Sequence, residues 1–202
     1  MAFRFSALRD ICCSMVWDTI TRVARVRYEQ SDDRVAGNAG ARRPQNLGKI
    51  QGDREVRTSN EGVALIRHFE GCRLEAYLCP AGVPTIGYGH TRDVSLGDVI
   101  TQERAEALLI EDLEEFEGYV NSMVEVALKQ HEFDALVSWV FNLGPGNFKE
   151  STLLNRINYG PMSDVPYQIK RWNKAGGKEL AGLTKRRAAE AALWEGKDWR
   201  EA

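Results

Sequence analysis

Residues 69–77 read FEGCRLEAY, and residues 85–91 read TIGYGHT. Just before the first stretch, apolar residues recur at helical spacing from Ser59, a good N-cap residue, to Gly71, which can end a helix. Turn residues and short runs of β-forming residues follow. The pattern therefore places Glu70 at the C-terminus of a helix, directly before a β element.

The rest of this region is predicted to form a small antiparallel sheet and then helices. Turn residues separate short aromatic and β-branched runs over Ala76–Thr91, where Pro84 limits one strand to edge pairing. The predicted helices cover Thr101–Met123, a segment from Phe133 to Phe141 that stops at a cap and turn over 144–147, Ser151–Tyr159, Ser163–Trp172, and Thr184–Trp194 after the glycine-rich residues 175–182. The fold class is α+β and mostly helical, with one small β element.

The first 57 residues differ in character from the rest. Apolar residues at three- and four-residue steps predict an amphipathic helix over residues 4–28. Ser31–Arg57 is rich in Gly, Asn, Arg and Asp, which is typical of a linker. We therefore expect residues 1–57 to form an N-terminal helix plus linker, and residues 58–202 to form the main domain.

Composition and charge argue against several classes of protein. With 43% hydrophobic and 28% charged residues, the chain is typical of a soluble globular protein. Residues 1–57 hold 11 Lys and Arg against 7 Asp and Glu, but residues 58–202 hold 16 against 22, so no nucleic-acid partner is expected. Asp18, Arg22 and Arg25 interrupt the most apolar stretch, which argues against a membrane-spanning helix or a standard export signal.

Cysteine and histidine spacing points to no metal site. Cys12, Cys13, Cys72 and Cys79 are too few for a disulfide-rich scaffold and wrongly spaced for structural zinc. The three histidines are scattered, and the sequence contains no glycine-rich phosphate loop. We expect the protein to work without a metal or cofactor.

Glu70, Cys79 and Thr85 form the candidate reactive group. They fall on the helix end and on the two strands of one short unit, so a hairpin can bring all three to one cleft. Aromatic neighbours could shield the Glu70 carboxyl and keep it protonated near neutral pH, as a general acid requires. The alternative from the residues alone is an ordinary solvated glutamate at a helix end.

The same residues carry a resemblance to a known family. The two stretches quoted above closely resemble the active-site segment of the T-even-type phage lysozymes, glycoside hydrolase family 24, whose pattern is Glu, eight residues, Asp or Cys, five residues, Thr. Glu70, Cys79 and Thr85 meet that spacing. The resemblance covers about residues 58–197. It continues through FDALVS at 133–138, FNLG at 141–144, STLL at 151–154, Trp172, Gly176-Gly177, Gly182-Leu183, Arg186-Arg187 and Glu190.

The resemblance implies a two-lobed lysozyme-like fold with a glycan cleft between a small β lobe and a larger helical lobe. It implies an endolysin that hydrolyses, with inversion, the β-1,4 bond between N-acetylmuramic acid and N-acetylglucosamine of peptidoglycan, for host-cell lysis. Glu70 would protonate the leaving oxygen, and Thr85 would hold the hydrolytic water. Cys79 would stand where most members have aspartate, and its role stays open because a thiol titrates near ~8.5 rather than ~3.9.

Further residues are candidates for supporting roles. Tyr88 and His90 are expected to line the cleft or to buttress the sheet. Arg186 or Arg187 could pair with Glu70 or another cleft carboxylate, and Arg187 is placed among the substrate-binding or supporting residues. The alternative is that arginines on a final helix are solvated.

The cysteine placement resembles that of the signal-anchor-release phage lysozymes, in which a thiol from a releasable N-terminal anchor rearranges an inhibitory bond. That resemblance implies a redox switch, in which a Cys72–Cys79 disulfide blocks the site and Cys12 or Cys13 supplies the releasing thiol. Small buried hydrophobes are the alternative for these cysteines. The charges of the predicted N-terminal helix argue against its insertion into a membrane. Three alternatives stay open: an interfacial or partner-binding helix, a helix packed on the main domain, and an upstream extension of the chain.

Two alternatives to a hydrolase also stay open. One is a catalytically silent peptidoglycan-binding protein that lost its chemistry through Cys79, and the other is a lytic transglycosylase, which leaves a 1,6-anhydro sugar end. Intact Glu70 and Thr85 favour the hydrolase. We expect a monomer that waits in the host cytoplasm, is released with the help of a holin and acts in the periplasm and cell wall. Membrane-tethered export through the N-terminal helix is the other route.

Overall fold

Seven α-helices and two short antiparallel sheets make up residues 55–202, the part of the chain that this computed structural model describes. The elements are α1 Asn60–Glu70, β1 Arg73–Leu78, β2 Pro84–Gly87, α2 Gln102–Met123, α3 Gln130–Leu143, α4 Pro145–Glu150, α5 Thr152–Tyr159, α6 Val165–Lys170, β3 Lys174–Ala175, β4 Lys178–Glu179 and α7 Ala181–Trp194, with 3₁₀ turns at Met162–Asp164 and Trp199–Glu201. The predicted helix over residues 4–28, Cys12, Cys13 and most of the predicted linker lie outside the described residues.

The region around the candidate acid folds as the sequence predicts. The Ser59 side chain caps α1 by accepting from the Gly62 N–H, and Gly71 ends the helix with φ +67°. That backbone conformation is costly for any residue with a Cβ, so glycine sets the point where the chain leaves the helix. β1 and β2 then pair antiparallel, with Tyr77 opposite Thr85.

α3 lies at the centre of the helical part and packs against α1, α2 and α7. Every residue of α3 from Phe133 to Phe141 is buried, including the polar Asp134 and Ser138. The Trp139 ring has no exposed surface and meets the Trp172 ring edge-on with centroids 5.0 Å apart. The helical part thus supplies a close-packed base for the elements that carry the candidate site.

The N-terminus of α1 lies unusually close to α3. The Ser59 N–H and hydroxyl both donate to the buried Asp134 carboxylate. A Cβ on Gly62 would lie 2.6 Å from Thr58 Cγ2 and 2.8 Å from Asp134 Cβ, which is closer than real Cβ contacts allow. This contact fixes the helix whose other end carries Glu70.

Gly62→Ala is therefore expected to destabilise the domain by about 1–3 kcal/mol, because overpacking outweighs the gain in helix propensity. Urea unfolding measures the change. Gly118→Ala is the matched control, since Gly118 lies within α2 and an added Cβ there meets nothing within 4 Å. The control should stabilise by up to ~1 kcal/mol. Equal stability gains in the two variants would contradict the close contact.

Three features depart from the sequence predictions. The prediction of one β element was wrong, because the two-residue turn Gly176-Gly177, with φ +57° and +78°, closes a second hairpin of β3 and β4. The predicted turn at 144–147 was also wrong, because Pro145 starts the short helix α4, where a missing N–H costs nothing. The predicted helix over 163–172 is divided into a 3₁₀ turn and α6.

The folded part begins before the predicted boundary at residue 57. Asn121 donates to the Val56 carbonyl at 3.0 Å, and Gln130 donates to the Arg57 carbonyl at 2.8 Å. Arg57 also pairs with Glu117 at 3.1 Å. Residues 56 and 57 are therefore held on α2 and α3.

Within residues 55–202, no helix combines the length and the apolar character that crossing a membrane requires.

Candidate active site

Glu70 is buried at the end of α1 and is bound by an arginine from the last helix. Its side chain is 1% exposed, and Arg186 Nη1 donates to Glu70 Oε1 at 2.6 Å. The guanidinium carbon of Arg186 also lies 5.7 Å from the centre of the Phe69 ring. The carboxyl is therefore held in one position and shielded from bulk water, rather than solvated.

A second carboxylate holds the arginine in turn. Glu190 Oε1 accepts from Arg186 Nε at 3.2 Å and from the Ser138 hydroxyl at 2.8 Å. The same oxygen accepts from Arg187 Nη2 at 3.0 Å. Arg186 Nη2 donates to the Ser138 carbonyl at 3.3 Å. Two arginines and two carboxyls thus form one buried network between α1, α3 and α7.

Arg187 belongs to this network but does not bond to Glu70. Its Nη2 donates to Asn142 Oδ1 at 2.8 Å, and its Nε lies 2.9 Å from Glu190 Oε2 without hydrogen-bond geometry. Burial lowers the pKa of Arg187 to about 10, so the side chain stays charged at neutral pH. Because it has no exposed surface, the supporting role fits its geometry better than substrate binding.

Burial is the largest influence on the Glu70 carboxyl. It raises the pKa of Glu70, while the charges of Arg186 and Arg187 and the Arg186 hydrogen bond lower it. The position at a helix C-terminus also disfavours a negative charge. A carboxyl with a raised pKa can keep a proton at a pH where a solvated glutamate has lost it.

Cys79 follows the end of β1 rather than lying on that strand as predicted, Thr85 lies on β2, and the two residues share one acceptor. The Cys79 N–H and the Thr85 hydroxyl each donate to the Val83 carbonyl at 3.0 Å. Both residues are buried, at 3% and 2% exposed. Because the Thr85 proton is used by that carbonyl, the hydroxyl oxygen can act only as an acceptor toward a further molecule.

Tyr88 ties the β part to the neighbouring helices. Its hydroxyl accepts from Arg67 Nε at 3.0 Å and from Gln102 Nε2 at 2.8 Å. Arg67 Nη2 also pairs with Glu106 at 2.6 Å. Partial burial raises the pKa of the exposed Cys72 thiol. A hydrogen bond with Tyr88 lowers that pKa, but by less.

His90 is bound to α2 through a buried carboxylate. Its Nδ1 lies 2.9 Å from Asp112 Oδ2, and Arg92 Nη2 lies 3.1 Å from Asp112 Oδ1. The hydrogen bond with Asp112 raises the pKa of His90. The contacts of Tyr88 and His90 fit the buttressing role, since both anchor the hairpin against helices.

The raised pKa of His90 predicts a pH dependence of stability. A protonated His90 stabilises the folded state fully below the unfolded pKa near ~6.5, and this contribution is lost as pH rises through the folded value. The melting temperature of the wild type should therefore fall more between about pH 6 and pH 8 than that of a His90→Gln variant. Parallel curves for the two proteins would contradict the pairing with Asp112.

Two residues of the site were not singled out from the sequence. Asp112 and Ser138 are buried polar residues within otherwise apolar helix faces, at 2% and 0% exposed. Their positions on those faces could have identified them in the sequence, because a polar residue inside an apolar stripe is buried and needs a hydrogen-bond partner.

Comparison with known proteins identifies the family. The phage lysozyme family model matches residues 67–190. An endolysin from Acyrthosiphon pisum secondary endosymbiont phage 1 is 48% identical over 141 residues, covering 68% of this chain and 97% of that protein. A SAR-endolysin of Bacteriophage PS119 is 40% identical over 129 residues, covering 62% of this chain and 77% of that protein. The solved muramidase domain of SpmX from Asticaccaulis excentricus superposes with a TM-score of 0.65 at 40% identity, covering 68% of this chain and 97% of that one.

The family match begins within α1 and ends within α7, so it includes Glu70, the β1–β2 hairpin and the Arg186–Arg187–Glu190 segment. The chain therefore belongs to the phage lysozyme family and is a peptidoglycan hydrolase of the muramidase type that serves host-cell lysis.

Proposed function

We propose that Glu70 is the general acid of this hydrolase. It protonates the oxygen of the β-1,4 bond as that oxygen departs from C1 of N-acetylmuramic acid. The observation that carries the proposal is a buried carboxyl whose Oε1 accepts from Arg186 at 2.6 Å and whose pKa is raised by burial. With Oε1 engaged by Arg186, the acid proton is carried on Oε2, where its direction is fixed for transfer.

Thr85 holds the water that attacks the sugar. Its hydroxyl donates to the Val83 carbonyl at 3.0 Å, so its oxygen accepts a hydrogen bond from the water and orients the water lone pair. The water oxygen bonds to C1 as the C1–O bond breaks, Glu70 gives its proton to the leaving oxygen, and the water proton passes to solvent. Cys79, which shares the Val83 carbonyl, supports the position of this group rather than taking the proton.

A water held by the Thr85 hydroxyl as the nucleophile makes the reaction a single displacement, which inverts the configuration at the anomeric carbon. The first product should then be the α-anomer at the new reducing end. NMR spectra recorded early in the reaction, before the product anomers interconvert, test this step. An initial β-anomer would indicate retention.

Digestion of purified peptidoglycan, with mass analysis of the released fragments, tests the proposed activity. Reducing-end N-acetylmuramic acid is the expected product. A 1,6-anhydro end would instead establish a lytic transglycosylase, in which no water is needed. Failure to release fragments both with and without reductant would support the silent binding protein.

The proposal extends to a thiol switch. In the described part of the chain, no disulfide joins the exposed Cys72 to the buried Cys79. A Cys72–Cys79 bond would draw Cys79 away from its place beside Thr85 and block the site, and Cys12 or Cys13 would release it by exchange.

Cys72→Ser should abolish this control. Without reductant, the variant should be more active than the oxidised parent, and with reductant the two should be equal. Equal activity of the variant and the oxidised parent would contradict the switch.

We also propose that the chain acts as a monomer on the periplasmic side of the wall. Its similarity to a SAR-endolysin supports membrane-tethered export through the N-terminal region, whereas the charged residues predicted from the sequence to lie in a helix over residues 4–28 support holin-dependent release from the cytoplasm. Fractionation of cells that express the full chain without a holin separates the routes. Recovery with the membrane supports tethered export, and recovery in the cytosol supports release by a holin.

A further inference from the structure

We infer that Glu190 is a positioning residue of the active site, which fixes the Arg186 guanidinium against Glu70 and offsets one of the two positive charges beside it. The inference rests on the proposed role of Glu70 as the acid. Glu190 lies one turn beyond Arg186 on α7, and both side chains have no exposed surface.

The position of Arg186 is set by groups other than Glu70. Glu190 Oε1 binds Nε at 3.2 Å, and the Ser138 carbonyl binds Nη2 at 3.3 Å. The third nitrogen, Nη1, is then directed at Glu70 Oε1. Since the guanidinium is planar and rigid, two fixed nitrogens determine where the third one points.

The position of Glu190 is set in the same way. Its Oε1 accepts from the Ser138 hydroxyl at 2.8 Å and from Arg187 Nη2 at 3.0 Å, and Arg187 is itself held by Asn142. Residues of α3 and α7 therefore lock the carboxylate before it meets Arg186. This chain of contacts transmits the rigidity of the buried core to the catalytic carboxyl.

The charges of the cluster adjust the pKa that burial gives to Glu70. Arg186 and Arg187 favour the ionised form of Glu70, and Glu190 opposes them. Among residues 55–202, these three are the charged groups that act on the pKa of Glu70, and α3 contributes the neutral Ser138 and Asn142 to the cluster. Arg67, the arginine of α1, is engaged by Tyr88 and Glu106. Without Glu190, no charge in the cluster would oppose the two arginines, and the pKa of Glu70 would fall.

A purely structural account fits the network less well. Burying four ionisable side chains costs more than an apolar core of the same volume would, so stability alone does not favour this arrangement. The network also ends at Glu70 rather than closing within α3 and α7. Control of the acid accounts for both features.

Glu190→Gln tests the charge, because it keeps the size of the side chain and the acceptor oxygen. The alkaline limb of the pH–rate profile should move to lower pH by about one unit, as expected for loss of one nearby charge. Glu190→Asp is the matched control, which keeps the charge, so its alkaline limb should not move to lower pH. An unmoved limb in folded Glu190→Gln would overturn the inference.

Glu190→Asp also tests whether the position of the Glu190 carboxylate matters. It is the deciding variant if Glu190→Gln does not fold. The shorter side chain withdraws the carboxylate from Arg186 Nε, so kcat should fall about tenfold with KM unchanged, as for a misplaced catalytic group. A wild-type kcat would overturn the positioning role.

Titration of the Glu70 carboxyl by ¹³C NMR separates this inference from the proposed function. Its pKa should fall in Glu190→Gln whether or not Glu70 is the acid. An unchanged pKa overturns the role of Glu190, whereas full activity of Glu70→Gln overturns the role of Glu70.

Discussion

Glu70→Gln is expected to lower peptidoglycan hydrolysis by about a hundredfold to ten-thousandfold, the range that loss of a general acid produces. The amide keeps an oxygen that can accept from Arg186 Nη1, so the buried contact survives. It cannot supply the proton that the leaving oxygen needs. The rate of fragment release from purified peptidoglycan measures the effect.

The same variant should not lose stability. Because the folded pKa of Glu70 is raised, the folded state binds more protons than the unfolded state over the window above the unfolded value near ~4.3. The contribution of Glu70 to stability is therefore present at low pH and is lost as pH rises through the folded value. At neutral pH the neutral amide should be at least as stable as the parent.

Glu75→Gln is the matched control, since Glu75 is exposed on β1 and its removal changes the same charge near the same hairpin. It should leave the rate of hydrolysis close to that of the parent. Near-wild-type hydrolysis by Glu70→Gln, or equal losses in both variants, would contradict the assignment of the acid.

The sequence predicted the elements around Glu70 because their signals are local. A serine cap, an apolar helical stripe and a glycine at the helix end lie within a dozen residues, and each acts on its own neighbours. The turn between β3 and β4 was missed for a different reason. A Gly-Gly pair permits both a flexible break and a tight hairpin, and only the pairing of Lys174 with Glu179 distinguishes them.

The network behind Glu70 could not be predicted in the same way. Arg186 and Glu70 are 116 residues apart, so nothing local links them. Arginines on a final helix are usually solvated. The sequence left Arg186 and Arg187 as alternatives for pairing with Glu70, but it placed only Arg187 among the supporting residues. The packing of α7 on α3 decides between them, because it places Arg186 toward Glu70 and Arg187 toward Asn142.

Arg186→Met is expected to produce the largest loss of stability, about 3–5 kcal/mol. A buried ion pair adds little net stability when complete, because desolvation offsets the attraction. Removing Arg186 leaves the buried Glu70 carboxyl without its donor and leaves Glu190 with Arg187 and Ser138 as its partners, so both buried carboxyls lose a contact. Urea unfolding at neutral pH measures the difference.

Two controls separate this effect from the loss of any arginine. Arg104→Met breaks the exposed pair with Glu111 and should cost less than ~1 kcal/mol. Arg186→Lys keeps the charge but loses the planar fork that spans Glu70, Glu190 and Ser138, so its loss should fall between the two. Arg186 lowers the pKa of Glu70. The alkaline limb of the pH–rate profile should therefore lie at higher pH for the Arg186→Met protein that remains folded than for the parent. A stability loss no larger than that of Arg104→Met would mean that the buried carboxyls are satisfied without Arg186, and the account of how Glu70 is held would then be wrong.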